Sequence, residues 1–420
     1  MNSKIDPGAE PAVVTGSREQ LLYLLAEASE IEHTLMCSYL YAAFSLRRGE
    51  GEGLSTTEAC AVDRWRKTIM NVAVEEMGHL LIVANLTVAV GGRPHFARPN
   101  FPVAPGYFPS GVVVRLTGFS RETLEHFIFL ERPQGAPGDD NRTFNQKSYS
   151  RRQAVRGLMP SAQDYTTIGH LYEAIRVNLI SLADHLGEGE LFLGGARRQV
   201  GPDVVDFPGV TKIASLEAAC TAIDLIIEQG EGSPGEQEES HYRSFLSIQN
   251  EFEELARGNP AFAPAWPVAD NPALRLPPNL EDKVFVDHPE AAVLLDFTCS
   301  IYGLLLRLLV QSFGRAGEEA ATQQKTLISA AIELMHTLAG ASDQLARLPA
   351  SLSTPGVNAG MSFTMLRGVE PLLDGRVEEQ LVRERMRDLA DAARTIPQLP
   401  SALSASLDQI AEAFFLQISS

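Results

Sequence analysis

The chain has 420 residues, 45% of them hydrophobic and 21% charged, which suits a folded protein with more than one small core and leaves little room for disorder. Lys and Arg number 35 against 53 Asp and Glu, a net charge of -18 with no basic face, so nucleic acid is excluded as the expected partner. Cys37, Cys60, Cys220 and Cys299 are scattered without a CxxC pair or a secreted-domain framework, and free thiols in a reducing compartment are expected.

The first residues, MNSKIDPGAEPAVVTGS, contain no apolar signal region, and 1–16 is expected to be a flexible lead-in. The longest apolar stretches, LLIVANLTVAV and IYGLLLRLLV, are too short or too interrupted to span a bilayer, so the expectation is a cytoplasmic protein with no membrane partner. Ser17-Arg-Glu-Gln20 has the form of a capping box, and helical spacing follows to about Arg47. Ser55-Thr-Thr-Glu58 opens a second helix that Gly91-Gly92 stops.

A Pro- and Gly-rich stretch then leads into VVVRLTGF, a short strand or extended arm, and SRETLEHFIFLERP spells a short helix. Residues 134–160 are polar and form a long loop or lid, so 92–160 is taken as an arm inserted in the bundle. The third long helix runs from Asp164 to Leu186 and the fourth from Ser215 to Gln229; after GEGSPGEQEE, HYRSFLSIQNEFEELA resumes the helical period. Six prolines in 257–283 mark a linker between a bundle over 17–256 and a C-terminal helical domain over 284–420. That domain holds helices at Pro289–Phe313, Glu318–Leu348, Arg376–Thr395 and Ala402–Leu416, and the fold class is all-α.

Positions three and four apart share a helix face, so a polar residue inside an apolar stripe is conspicuous. On helix one, Leu21, Leu25, Ala28, Leu35 and Tyr39 form such a stripe with Glu32 in its middle. On helix two, Ile69, Val72, Ala73, Leu80, Val83 and Thr87 enclose Glu76 and His79, while Glu75 points to water. A buried carboxylate needs a cation, a hydrogen-bond network or a metal. Glu-x-x-His on a bundle helix is how carboxylate-bridged di-iron and di-manganese proteins present a bridging acid and an imidazole.

Such a centre also takes an acid from a third helix and an acid with a His from a fourth. Glu173 is the third-helix candidate and His170 its rival. On the fourth helix Glu231 lies roughly 80° from the stripe centre and Glu228 roughly 140°, which favours Glu231, and His241 returns to the centre if the charged interruption loops out.

EIEHTLMCSYLYAAFSL, VEEMGHLLIVANLTVAVGGRPHFARPNFP, PGYFP with LTGFSRETLEHFIFLERP, TIGHLYEAI, IIEQGEG with ESHYRSF, and NAGMSF occur in one order across residues 20–363. In these segments the chain resembles the ferritin-like family of the iminophenyl-pyruvate (imine) dimer synthases of violacein and indolocarbazole biosynthesis, in particular the ferritin-like part of its long violacein-pathway member. The resemblance implies a ferritin-like four-helix bundle with a non-haem metal site drawn from Glu32, Glu76, His79, a helix-three acid, the EQGEG glutamates and His241. It singles out Tyr39 as well, because Glu-x6-Tyr on helix one is similar to the pairing beside ferritin iron, and Tyr39 is the catalytic candidate.

Carboxylate and imidazole donors suit iron, with manganese as the alternative, and no thiolate set points to zinc. The expected function is a di-iron oxidoreductase that uses O2 on a small organic substrate, an amino-acid-derived imine being the class the resemblance suggests, with 93–111 and 131–160 shaping the pocket over the metals. The alternative is iron binding or ferroxidase activity without an organic substrate. A homo-oligomeric state is left open.

Overall fold

The computed structural model describes residues 13–103, 108, 113–134, 136, 140–141, 143–144, 165–230, 240–276, 280, 282–315, 320–353, 355–365, 367, 369–372 and 376–418. Among them the chain forms helices α1 (Arg18–Ser45), α2 (Thr56–Ala89), α3 (Arg121–Leu130), α4 (Ile168–Leu186), α5 (Glu188–Leu191), α6 (Leu216–Gly230) and α7 (His241–Gly258). The second half adds α8 (Pro289–Ser312), α9 (Ala320–Leu345), α10 (Arg376–Thr395) and α11 (Ser401–Ile418). The strands are β1 (Pro272–Ala273) and β2 (Val284–Phe285), parallel, with Pro272 opposite Val284. The fold is all-α, as the periodicity predicts.

Helix starts follow the cap residues. Ser17 Oγ accepts from the Gln20 amide, and Ser55 and Glu58 form the full reciprocal box, with the Ser55 amide donating to Glu58 at 2.8 Å. Ser120, Thr167 and Ser240 cap α3, α4 and α7 in the same way. Each cap contributes about 1 kcal/mol by satisfying an amide the helix cannot. Gly91, at φ +90°, takes the left-handed turn that ends α2.

Burial of the apolar stripes then assembles the bundle. α1 packs most extensively on α2, α4 packs on α6 and α1, and α7 packs on α3 and α2. Leu21, Leu25, Ala28, Ile69, Val83 and Leu179 are all completely buried, each leucine or isoleucine contributing about 1.5–3 kcal/mol. In the second half α8 packs on α9, and α10 on α11 and α8. α2 and α8 are long and apolar enough to cross a membrane, against the expectation from the short apolar runs, but 83% and 61% of their most apolar windows are buried inside the protein, as in core helices.

The two halves share one hydrophobic core. Arg66 of α2 grips Asp343 of α9 with two bonds of 2.9 and 3.0 Å. His33 of α1 is held between the Phe96 carbonyl (3.0 Å) and the Tyr302 hydroxyl of α8 (2.5 Å). Burial and the nearby Arg98 charge push the His33 imidazole well below its usual range.

The stretch expected to link the halves is fastened to both. The Trp266 amide donates to the Ser45 carbonyl at 2.8 Å, and the Ala269 amide to Asn358 at 2.8 Å. VVVRLTGF is an extended segment rather than a strand over its described residues 113–119, with Leu116 and Asn271 exchanging hydrogen bonds of 2.9 Å. The described part of the 93–111 arm wedges Phe96 and Arg98 against α1 and α8, so those residues face the junction of the halves. Most of 134–160, expected as a lid, lies outside the described residues.

Candidate metal centre

Four helices bring acids and imidazoles to one point inside the bundle. Glu32 and Tyr39 stand seven residues, close to two turns, apart on α1, and Glu76 and His79 stand one turn apart on α2, so each pair shares a face. All four are at most 2% exposed. His241, 1% exposed, is the first residue of α7, presented by the Ser240 cap. Glu131, 4% exposed, closes the last turn of α3.

Two sets of donors overlap at Glu76. Glu32, Glu76 and His79 place their ligand atoms within 4.8 Å of one another, and so do Glu76, Glu131 and His241. His79 Nδ1 lies 3.1 Å from Glu76 and 3.4 Å from Glu32, and His241 Nδ1 lies 3.0 Å from Glu76 and 3.6 Å from Glu131. Among the described residues no Arg or Lys lines this space.

Outer partners fix each donor. The Tyr172 hydroxyl donates to Glu32, and the Tyr39 hydroxyl to Glu131. His79 Nε2 bonds Gln229 Oε1 at 2.8 Å, and His241 Nε2 bonds Glu75 at 2.8 Å.

Packing carboxylates out of water separates the protonation behaviour of Glu32 and Glu76. Burial, then the Glu76 charge, pushes the Glu32 carboxyl up to about 8. Burial would raise Glu76 too, but hydrogen bonds from Glu32, His241 and His79 hold it well below the usual carboxylate range. Burial would lower His79, yet Glu32 and Glu76 outweigh it and hold the imidazole up at about 10. His241 is raised in the same way, chiefly by Glu76. Both tyrosines are pushed well above their usual range, by burial first and by the adjoining carboxylates next.

A metal ion fits these residues. His241 Nδ1 is buried and makes no hydrogen bond with a described residue, although Glu76 Oε1 is 3.0 Å away. A buried nitrogen without an in-line proton partner, beside two carboxylates, is a donor aimed at a cation. The set is oxygen and imidazole throughout, which suits iron or manganese.

The sequence expectations divide by position. Glu32, Glu76, His79, His241 and Tyr39 are brought together. Glu173 is not: its side chain is 38% exposed and pairs with Arg176 at 2.7 Å, one residue round the helix from the face that meets the cluster. Tyr172 occupies that face instead. The rival His170 is buried at the start of α4, where its Nδ1 accepts from the Thr166 amide at 3.4 Å. Glu231 lies outside the described residues; the alternative Glu228 is exposed, and the α6 residue that reaches the cluster is Gln229. Glu75, expected in water, is 44% exposed but binds His241.

Glu131 was not expected. In FLERP it looks like a solvated helix end, yet it follows Leu124 by seven and Phe127 by four, both fully or almost fully buried, so the α3 stripe runs onto it.

A family model described as Ferritin-like matches residues 25–250, the stretch from α1 to α7 that supplies every residue of this cluster. Dichlorochromopyrrolate synthase of Lentzea aerocolonigenes is 29% identical over 95% of this chain and 41% of its own length. The 2-imino-3-(indol-3-yl)propanoate dimerase of Chromobacterium violaceum is 26% identical over 78% of this chain and 32% of its own. The chain thus spans less than half the length of these curated relatives. A crystal structure of a ferritin-like protein from Caulobacter vibrioides aligns with 83% of this chain and 100% of its own, at 18% identity and a TM-score of 0.48. With more than half of its residues matched by the family model, the chain belongs to the ferritin-like family.

Proposed function

We propose that the chain is a non-haem, carboxylate-bridged di-iron oxidoreductase that uses O2 on a small organic substrate, an amino-acid-derived imine, in secondary metabolism. The observation that carries it is the pair of donor sets sharing Glu76. Glu32 and His79 would hold one metal, Glu131 and His241 the other, and Glu76 would bridge them, as carboxylates do in ferritin-like di-metal bundles. When bound, such a metal pair supplies O2 chemistry and electron transfer that side chains lack.

The chain's own groups hold the donors in place. Tyr172 fixes one oxygen of Glu32, and Tyr39 fixes one of Glu131, which leaves the other oxygen of each carboxylate for the centre. Gln229 and Glu75 each take an imidazole Nε2 and so orient Nδ1 inward, a role in which outer partners govern ligand geometry. Leu35, Leu130, Ile168 and Ile226 line the remainder and exclude bulk water. A pocket of about 200 Å³ opens beside His79 and Gln229, lined by Val74, Ile82, Phe207 and Pro208, and its apolar wall suits an aromatic side chain. Both relatives carry names that concern indole- or pyrrole-type chemistry, which supports the imine class.

One observation favours ferroxidase activity without an organic substrate: the space directly beside the ligands is only about 20 Å³, enough for water. Anaerobic Fe(II) loading followed by O2, with and without an imine generated from an aromatic amino acid, separates the two. The proposal expects imine-dependent O2 uptake and an oxidised organic product. Fe(II) oxidation with no organic product would support ferroxidase instead, and a chain that takes up no metal would refute both.

A further inference from the structure

The cavity of about 470 Å³ in the second half lies on residues that the metal centre does not use. Its walls come from α8, α10 and the segment before α10, and three arginines line it: Arg307, Arg367 and Arg385. The chain carries 53 acids against 35 bases, so three guanidiniums around one cavity with a single carboxylate, Asp296, run against the overall charge. Among the described residues neither Arg307 nor Arg385 has a carboxylate within ion-pair distance; Arg307 reaches only the Glu370 carbonyl, at 3.5 Å. Guanidiniums such as Arg307 and Arg385, with no acidic partner among the described residues, contribute a positive field that concave walls concentrate.

Apart from Ser300 and Thr364, the rest of the lining is largely apolar, with Leu304, Leu306, Met365 and Leu372 among it. An apolar hollow with a few convergent charged groups is the usual form of a small-molecule site, and 470 Å³ falls in its size range. Guanidinium groups recognise carboxylates by paired hydrogen bonds.

Gly303 is the second observation. It stands inside α8, where glycine is unfavourable relative to alanine. A β-carbon built there would meet nothing within 4 Å, so no packing neighbour demands the glycine. Gly303 lines the cavity, and its missing side chain keeps that wall open.

We infer that this cavity is a second binding site, distinct from the metal centre, for an organic anion with an aromatic or branched apolar body and a carboxylate. The apolar part lies along Leu306, Met365 and Leu372, and the carboxylate faces the arginines.

Calorimetric titration of the full chain with naphthalene-2-carboxylate tests this, with 2-naphthylmethanol as its uncharged counterpart. The expected result is one carboxylate per chain, and binding at least tenfold weaker for the alcohol. Arg307→Gln and Arg385→Gln should each weaken the carboxylate at least tenfold. Gly303→Leu should abolish binding with the helical circular dichroism intact. Arg387→Gln, an exposed position on α10 outside the cavity, should bind as wild type. No saturable binding, equal binding of the alcohol, or wild-type affinity in Arg385→Gln together with Gly303→Leu would overturn the inference. Arg385 is exposed, so its variant remains a test even if Arg307→Gln fails to fold.

Discussion

The metal centre and the arginine-lined cavity handle charge in opposite ways. In the first, three carboxylates and two imidazoles are sealed among α1, α2, α3 and α7, and each acid has a proton donor or a nitrogen within about hydrogen-bond distance. In the second, guanidiniums surround an open hollow with one aspartate among them. Desolvation explains the contrast: a buried charge must be paired where it sits, whereas a charge on a wetted wall is stabilised by water until a ligand arrives. The sealed region should therefore respond steeply to single substitutions, and the open region mildly.

The largest effect is expected at Glu76, which belongs to both donor sets. Glu76→Ala should take metal content from about two ions per chain to none, measured on protein reconstituted with Fe(II). Retention of a full complement would mean that the two sets are not one centre.

Arg66→Ala tests the seam between the halves. It removes the two-bond partner of Asp343, whose side chain is 13% exposed and keeps only Arg48 at 3.7 Å, and should cost about 1.5–3 kcal/mol of stability in urea denaturation. A loss below about 1 kcal/mol, the size of a surface pair, would show that the halves do not depend on this contact.

Thiol chemistry compares a half-buried and an exposed site in one titration. Burial pushes the Cys299 thiol up to about 11, whereas Cys60 is exposed. Because the thiolate is the nucleophile, alkylation of Cys299 should gain about tenfold per pH unit and keep rising beyond pH 9, and at pH 8 it should be slower than that of the exposed Cys60. Equal rates, read by peptide mass spectrometry, would place Cys299 in open solvent.

The smallest effects separate neighbours on one helix turn. Glu75→Ala removes the partner of His241 Nε2 and should weaken metal binding about 10- to 100-fold. Glu173→Ala removes only a half-exposed contact with Arg176 and should leave metal affinity unchanged. The reverse order would put the wrong face of α4 toward the centre.

The half of the centre on α1 and α2 was legible in the sequence because Glu32, Glu76 and His79 sit mid-helix, where the 100° advance per residue is regular and an acid among leucines is conspicuous. The other half lies where that regularity ends. Glu131 caps α3, His241 begins α7, and Glu173 missed the face by a single position, with Tyr172 taking its place. For Glu131 the local sign is only that the stripe of Leu124 and Phe127 runs onto it, at a helix end where the regular advance stops.

By itself the sequence determined the helices and the capped starts of α1 and α2, since caps and periodicity are local properties, though not the start of the third long helix, which begins at Ile168 behind Thr167 and not at Asp164. It also determined the all-α class, since apolar stripes must be buried against one another. Only the tertiary structure decided which helix ends converge on Glu76, that Glu75 serves His241, and that Arg307 and Arg385 share a cavity. Those are contacts between residues 55 to 166 positions apart in the chain, and no periodicity within one helix carries information across such distances.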